Sequence, residues 1–322
     1  MLINPTFAFK NRDVKVGIYV YTWYNPSEPT SWEYPKITDK PLLDYYNSSN
    51  PIVIATQIQQ IQNVGIDFVM LSWLNYAFST QTIEAWYSVA KDNATSLKLS
   101  VMVEPYNETG TYNYTEIYNF AFNLFDNYKG HSLFLNGKPI IFFYNGGVLT
   151  GDTFHDFPQD DRFIVMTIGH REYVDFWYDD VRNYIPTFER NQISVLPRFD
   201  DYWQYYLGLR DHVHIIDRYL TEGFYQTQWE RAIKRADKHS VEWITIATWN
   251  EYPERTAIEP HYDNTAYDKD PYYLYNMTKQ YINELHGLSG LTATPQYWYQ
   301  NPLFFGVIIL GLCLGAWLVW KS

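Results

Sequence analysis

Eight short runs of apolar, β-branched and aromatic residues recur between residues 15 and 249, separated by longer loop or helical segments. The runs span residues 15–23, 66–73, 97–104, 139–144, 162–168, 173–178, 192–197 and 242–249. The more apolar runs are nearly continuous, which is typical of parallel strands buried on both faces. Amphipathic helices are predicted at residues 51–64, 80–91, 115–128, 226–239 and 276–285. This order predicts an α/β fold, a (β/α)8 TIM barrel, although the two middle crossovers carry little helical signal.

Residues 303–320 form an uncharged apolar segment, LFFGVIILGLCLGAWLVW. A helix of this length is roughly 27 Å long, which is close to the thickness of the hydrocarbon core of a bilayer. The sequence therefore predicts a (β/α)8 domain at residues 1–290, a juxtamembrane linker at 291–302 and a single C-terminal transmembrane helix at 303–320. Gly311 and Gly315 are spaced for close packing of two such helices, so a weak dimer through the membrane is also expected.

The expected location is a membrane, with the large domain outside the cytoplasm. Lys321 is the only cation next to the apolar segment, and it favours a cytoplasmic C-terminus. Sequences that permit N-glycosylation begin at Asn47, Asn93, Asn107, Asn113 and Asn276. Residues 1–11 do not resemble an export signal, so a tail-anchored protein with a cytoplasmic domain is the alternative.

Aromatic residues make up 19% of the chain, the same share as charged residues. Their rings suit a carbohydrate ligand, because sugars present both apolar faces and hydroxyl edges, but a composition bias without functional meaning is the alternative. The net charge of −12 excludes nucleic acid as an expected partner, since phosphate binding rests on Lys and Arg. The single cysteine, Cys313, excludes an internal disulfide and a multi-cysteine zinc site, and no metal or cofactor is expected.

Polar and aromatic residues gather at the C-terminal ends of the predicted strands, where the active site of a TIM barrel lies. These candidates are Tyr21, Trp23, Tyr24, Trp73, Glu104, Tyr106, Tyr144, Asp200, Asp201 and Asn250. Each has a structural alternative, because a tyrosine at a strand end can belong to the core and an acidic pair can cap a helix. Their joint clustering favours a binding site.

Two carboxylates follow the last predicted strand in the segment WNEYPERTAIEP, residues 249–260. Glu251 and Glu254 are three positions apart and project to one side if the chain turns helically there. Neighbouring acids tend to hold different pKa values, which gives one acid and one base at neutral pH. Glycoside cleavage needs both roles. The alternative is a solvated helix face, which is the usual meaning of such a pair.

The same segment resembles the NEWHEGTQIEP-type signature of glycoside hydrolase family 99, the endo-α-1,2-mannosidases and endomannanases. Further similar motifs follow the order of that family along much of the chain. They are VGIYVYTWY at residues 16–24, VEPY at 103–106, KPIIFFY at 138–144, LPRFDD at 196–201, Arg218 and IEP at 258–260.

This resemblance implies a retaining endo-acting α-mannosidase that works without a metal on an oligosaccharide or polysaccharide. It implies that Glu251 acts as a base on the 2-hydroxyl of the sugar and that Glu254 is the acid and base at the leaving oxygen. Glu104 is then expected near the reacting sugar. The remaining strand-end residues and Arg218 are expected substrate contacts, with Tyr21, Trp73, Tyr106 and Tyr144 lining the pocket.

Within the Trp-His-Glu-Gly part of the signature, three positions differ from the family. Trp-His-Glu-Gly becomes Tyr252-Pro253-Glu254-Arg255 here. A cation at position 255 favours the charged form of the neighbouring acid, unless its guanidinium points away. The change at Arg255 leaves a non-catalytic carbohydrate-binding relative as one alternative. Similar domains occur among polysaccharide-biosynthesis proteins, so a glycosyl-transfer protein is the other.

Overall fold

A computed structural model of the chain describes residues 13–33, 36–104, 113–145, 158–169, 176–177, 191–238 and 241–288. Eight strands in this part of the chain form a parallel sheet. They are β1 (Lys15–Val20), β2 (Phe68–Trp73), β3 (Lys98–Val103), β4 (Lys138–Asn145), β5 (Ile164–Gly169), β6 (Phe176–Trp177), β7 (Gln192–Val195) and β8 (Trp243–Ile246).

The strands follow one another around the sheet in sequence order. Strands β1 to β6 are hydrogen-bonded to one another in sequence order, from the β1–β2 pair to the β5–β6 pair. β7 is paired with β8, and β8 is paired with β1. β6 lies in contact with β7, so the order is cyclic. The α/β class and the parallel sheet are thus confirmed, and the strand order is that of a (β/α)8 barrel.

Seven helices lie among the described residues. They are α1 (Pro29–Glu33), α2 (Pro51–Val64), α3 (Ala77–Asp92), α4 (Tyr114–Asn127), α5 (Tyr202–Tyr206), α6 (Phe224–Lys238) and α7 (Tyr273–Leu285). α2 begins where the side chain of Asn50 accepts a hydrogen bond from Ile52 N, and it ends at Gly65, whose φ is 100°. The five long helices match the predicted ones, because their apolar positions recur at helical spacing. The two five-residue helices, α1 and α5, have too short a pattern to predict.

The barrel interior is filled by large apolar side chains from several strands. Tyr19, Phe68, Met70, Met102 and Phe142 are all buried in one cluster there. Gly17 on β1 is paired with Phe68 on β2. A Cβ at position 17 would lie 2.1 Å from the Phe68 ring, so only glycine leaves room for that ring.

Short antiparallel pairs tie together the loops at the C-terminal ends of the strands. Lys40–Pro41, in the β1 loop (residues 21–50), is paired with His261–Tyr262 in the β8 loop (residues 247–272). In the β7 loop (residues 196–223), Phe199–Asp200 is paired with Ile215–Ile216 and encloses α5. The loops after β1, β7 and β8 are thereby brought together above one side of the barrel.

The described chain up to Gly287 forms one compact unit. No helix among the described residues is long and apolar enough to cross a membrane. The predicted linker at 291–302 and the predicted transmembrane helix at 303–320 lie outside the described residues, so both stay predictions.

Candidate active site

Three glutamate side chains meet at the C-terminal end of the barrel. Glu104 directly follows β3, and its backbone N–H donates to the carbonyl of Trp73, 2.9 Å away, at the end of β2. Glu251 and Glu254 lie in the β8 loop. The three residues are 4%, 5% and 9% exposed, in that order. The charges on Glu254 and Glu104 both act on Glu251, so the three carboxyl groups form one buried cluster.

The buried cluster holds protons more tightly than free carboxylates do. Burial raises the pKa of Glu104 to about 8, with the charge on Glu254 adding to the rise and a hydrogen bond from the Ser72 hydroxyl opposing it. Burial and then the charge on Glu254 raise the pKa of Glu251 well above its usual range, while a hydrogen bond with Tyr21 opposes the rise. Neighbouring carboxylates in a low-dielectric site do not all ionise at neutral pH. The cluster is therefore suited to acid–base chemistry.

The β8 loop folds back on itself immediately after the strand. The N–H of Ile258 donates to the Thr248 carbonyl at 3.1 Å, and the N–H of Thr256 donates to the Glu251 carbonyl at 3.2 Å. The Thr248 hydroxyl accepts from the N–H of Glu251 at 2.9 Å. The Arg255 N–H also donates to the Tyr252 carbonyl at 3.1 Å, so a single hydrogen-bonded turn connects Glu251 with Glu254.

The cation that contacts Glu254 is Arg210, from the β7 loop. Its guanidinium forms an ion pair of 2.5 Å with the Glu254 carboxylate, and its Nε donates to Gln204 Oε1 at 2.8 Å. The Arg210 side chain is 41% exposed, so it lies at the edge of the cluster. Sequence reasoning missed Arg210, because a pair separated by 44 positions has no local pattern.

Arg255 points away from Glu254. Its guanidinium donates to Asp39 Oδ1 at 2.7 Å, to Asp39 Oδ2 at 3.0 Å and to Asp263 Oδ1 at 2.9 Å. Its backbone φ is 57°, in the left-handed region, which accounts for the glycine in the corresponding position of the signature. Arg255 is therefore not the cation that favours the charged form of Glu254, which corrects the expectation from the sequence. Arg210 is the cation that contacts the Glu254 carboxylate.

Arg198 completes a buried ion-pair cluster beneath the three loops. Its guanidinium forms ion pairs with Asp39 and Asp263, and its Nε donates to the Arg255 carbonyl at 2.8 Å. Burial alone would raise the pKa of Asp263, but Arg198 and Arg255 hold it at about 2. The β1, β7 and β8 loops are thus fastened together by paired charges.

Asp39, His261 and Asp263 have ligand atoms within 4.8 Å of one another, a spacing that a metal ion could use. Two arginines already face the same carboxylates, Arg198 and Arg255. A divalent cation there would be repelled by both guanidinium groups. We therefore assign the three residues to the ion-pair cluster.

Three of the predicted aromatic contacts lie at the ends of β1 and β4. Tyr21 forms a hydrogen bond with the Glu251 side chain, and its ring lies 4.3 Å from that of Trp23, which is half-buried. Tyr144 is half-buried at the end of β4. Tyr106 lies outside the described residues. Tyr21 and Trp23 are therefore placed beside the glutamate cluster.

Three other predicted contacts have packing roles instead. Tyr24 is fully buried, stacks on Trp32 with ring centroids 4.1 Å apart, and donates to the Asn250 carbonyl. Trp73 is also buried, and its indole N–H donates to Thr80 at 3.0 Å. The side-chain amide of Asn250 bonds to both backbone groups of Tyr21, at 2.7 and 3.0 Å. These residues support the site from beneath, because position at a strand end does not decide the direction of a side chain.

The predicted contacts of the β7 loop are engaged with protein groups. Asp200 receives two hydrogen bonds from Arg218, at 2.6 and 2.8 Å, and its N–H donates to the Glu254 carbonyl at 2.9 Å. Asp201 is fully buried and accepts a hydrogen bond of 2.6 Å from the His214 N–H. Asp201 thus shapes the loop, while the Asp200–Arg218 pair lines a cavity beside the glutamates.

A fourth buried glutamate, Glu259, was not assigned a role from the sequence. Its carboxylate accepts hydrogen bonds from Tyr46 at 2.9 Å, Tyr252 at 2.8 Å and Gln57 at 2.8 Å. Burial raises its pKa to about 7, although these donors oppose the rise. With three donors around it, Glu259 joins α2 to the β1 and β8 loops. The IEP motif at 258–260 was the available signal.

A cyclic parallel sheet with a carboxyl cluster at the C-terminal ends of its strands is the arrangement of a (β/α)8 barrel with its candidate site at the usual end. No protein-family model matches the sequence. No curated protein matches it either.

Solved structures identify the fold more closely. The GH99 endo-α-mannosidase from Bacteroides thetaiotaomicron, in complex with Bis-Tris-propane, matches with a TM-score of 0.63 at 16% identity, covering 87% of this chain and 99% of that chain. A second structure of that enzyme matches with a TM-score of 0.62 at 17% identity, covering 87% and 100%. A glycoside hydrolase-like protein matches with a TM-score of 0.56 at 14% identity, covering 88% and 97%. The fold of this chain is therefore GH99-like.

Proposed function

We propose that the protein is a retaining, endo-acting glycoside hydrolase that cleaves α-mannosidic linkages of the α-1,2 type in glycans or mannan. One observation carries this proposal: Glu104, Glu251 and Glu254 form a buried carboxyl cluster at the C-terminal end of a GH99-like barrel. Barrel enzymes place their chemistry at this end. Tyr21 and Trp23 beside the cluster offer the aromatic surface that a sugar ring needs.

In the proposed first step, Glu251 removes the proton from the 2-hydroxyl of the sugar. The freed oxygen attacks the anomeric carbon of the same sugar and forms a 1,2-anhydro ring. The bond from that carbon to the leaving oxygen breaks, and Glu254 donates its proton to the leaving oxygen. Glu251 acts here in its ionised form, in which its raised pKa makes it a stronger base than a free carboxylate.

In the second step, Glu254 is ionised and accepts a proton from water, which attacks the anomeric carbon. The bond from carbon to the 2-oxygen breaks, and Glu251 returns its proton to that oxygen. Two inversions at one carbon retain the configuration. The usual retaining scheme differs, since a carboxylate there attacks carbon directly. Burial raises the pKa of Glu104 to about 8, which favours the protonated form at neutral pH, and in that form Glu104 can donate a hydrogen bond to the bound sugar.

Product analysis tests this function. The full chain is incubated with a panel of α-mannosides of different linkage and length, and products are followed by chromatography and by NMR of the new reducing end. We expect internal cleavage of α-1,2 linkages with an α-configured first product, and no cleavage by a Glu251→Gln/Glu254→Gln double variant. Elongated products would support glycosyl transfer instead. Binding without turnover would support a non-catalytic role.

Arg210 sets the pH range of this reaction. In the Arg210→Gln variant, we expect the alkaline limb of the kcat/KM profile to move to higher pH, because Glu254 loses its proton less readily without the guanidinium beside it. Arg210→Lys keeps the charge and should stay close to the wild type. An unchanged profile in Arg210→Gln would contradict this assignment.

We also propose, from the sequence, that residues 303–320 anchor the protein in a membrane with its large domain outside the cytoplasm. The support is the uncharged apolar segment and the single following cation, Lys321. Membrane pellets washed with carbonate should retain the full chain and release a variant that lacks 303–320. Protection of the large domain from added protease in intact cells would contradict the proposed side.

A further inference from the structure

A cavity of about 470 Å³ lies between the β1, β7 and β8 loops. Trp203 and Tyr202 of α5 form its aromatic wall. Asp200, Arg218 and Arg255 contribute the charged part of its lining. A volume of this size is typical of sites for small ligands.

The cavity neighbours the glutamate cluster without including it. None of Glu104, Glu251 and Glu254 lines it. The backbone connects the lining of the cavity to the glutamate cluster. The N–H of Asp200 donates to the Glu254 carbonyl, and Arg255 follows Glu254 in the chain. A ligand in the cavity would therefore sit beside the proposed cleavage site, separated from it by the Asp200–Arg255 contact of 3.5 Å.

The charges that line the cavity are mostly matched within the protein. Arg218 is paired with Asp200, and Arg255 is paired with Asp39 and Asp263. Lys36 has no ion pair with any described residue, and its ammonium group lies 4.7 Å from the centre of the Trp203 ring. With its arginines already paired, the cavity is poorly suited to a multiply charged anion.

Polar groups around the cavity are left available for hydrogen bonds. The Asn264 side-chain amide makes no hydrogen bond to a described residue, although its backbone N–H donates to Asp39. Lys36 adds three N–H donors at the cavity edge. Aromatic walls with a few convergent donors and acceptors fit a neutral hexose, which has an apolar face and hydroxyls on its rim.

We propose that this cavity is a second glycan-binding site, which holds a neutral hexose unit of the same polymer away from the bond that is cleaved. The proposal rests on the proposed function for the identity of the polymer. A neighbouring cavity of about 350 Å³ shares Lys36 and Ile37 and adds Trp32 and Tyr45 to its lining, so the surface can hold a further unit. The site favours long glycans over short ones.

Arg255 is the lining residue of this cavity that differs from the family signature. It stands where the signature has glycine and lines the cavity, and its φ of 57° is one that glycine adopts without strain. An Arg255→Gly variant would keep the backbone conformation and remove that part of the lining.

Binding measured without turnover tests the site. In the full chain carrying Glu251→Gln, mannose oligosaccharides of increasing length are titrated by calorimetry. We expect Trp203→Ala to weaken binding of long oligosaccharides by about tenfold, through lost stacking, and to leave disaccharide binding unchanged. Tyr205→Ala is the matched control, because Tyr205 lies on the same helix, is 44% exposed and does not line the cavity. It should bind like the parent.

The outcomes separate this proposal from the proposed function. Equal affinity for long oligosaccharides in Trp203→Ala and Tyr205→Ala would overturn the second site, and so would a parent protein that binds no oligosaccharide. If Trp203→Ala does not fold, Asn264→Ala replaces it, with the same expected dependence on length. Length-dependent binding through Trp203 in a wild type that cleaves nothing would support the site and reject the hydrolase.

Discussion

In the Glu254→Gln variant, kcat/KM for an α-1,2-linked mannooligosaccharide is expected to fall by about 10²- to 10⁴-fold. Glutamine keeps the size of the side chain and a hydrogen-bond acceptor for Arg210, but it has no proton to give to the leaving oxygen. Glu251→Gln should lose a similar factor, since it cannot take the proton of the 2-hydroxyl. Initial rates and substrate affinity, measured separately, show whether the loss is in chemistry or in binding.

An activated leaving group distinguishes the two roles. A mannosyl substrate whose leaving group departs without protonation should restore the first step in Glu254→Gln, because that step no longer needs an acid. The same substrate should remain uncleaved by Glu251→Gln, because the 2-hydroxyl still needs a base. Equal restoration in both variants would reject the assigned roles. Full wild-type activity in either variant would reject the residue as catalytic.

The barrel was predictable because each of its strands and long helices has a hydrophobic pattern within a short stretch of sequence. Each buried strand is a short apolar run, and the long helices repeat apolar residues at helical spacing, as in residues 51–64, where predicted and observed helices coincide. The strands observed in the structure are shorter than the predicted runs at several ends, as in β1, which stops at Val20. Residues beyond that point, Tyr21 to Tyr24, belong to the loop that bears part of the site.

The direction of each side chain in the site was not predictable. Tyr21 and Tyr24 follow the same strand, yet Tyr21 bonds to Glu251 while Tyr24 stacks on Trp32 within the core. The identity of the cation near Glu254 was also beyond the sequence. Arg255 is adjacent in the chain, but its guanidinium is drawn to Asp39, which lies 216 positions away. Contacts across such distances depend on the loops that the barrel brings together.

Replacing Asp39 by alanine is expected to lower the free energy of unfolding by about 3–5 kcal/mol, the usual cost of removing one partner from a buried ion pair. Asp39 is 1% exposed and accepts hydrogen bonds from Arg198, Arg255 and the N–H of Asn264. Its loss leaves two buried guanidinium groups with less negative charge around them. Urea denaturation of the full chain in detergent, followed by tryptophan fluorescence, measures the change.

Asp44→Ala is the matched control for this variant. Asp44 also forms an ion pair, at 2.9 Å with Lys40, but its side chain is 71% exposed. Water screens a pair at the surface, and alanine at the left-handed φ of 62° costs about 1 kcal/mol, so we expect its removal to lower the urea midpoint only slightly. If Asp39→Ala unfolds at the same urea concentration as Asp44→Ala, the buried cluster does not hold the three loops together. Asp39 binds Arg255, and Arg255 follows Glu254 in the chain. A large fall in the urea midpoint of Asp39→Ala, together with reduced activity of the variant while it is still folded, would therefore show that this cluster also helps to place Glu251 and Glu254.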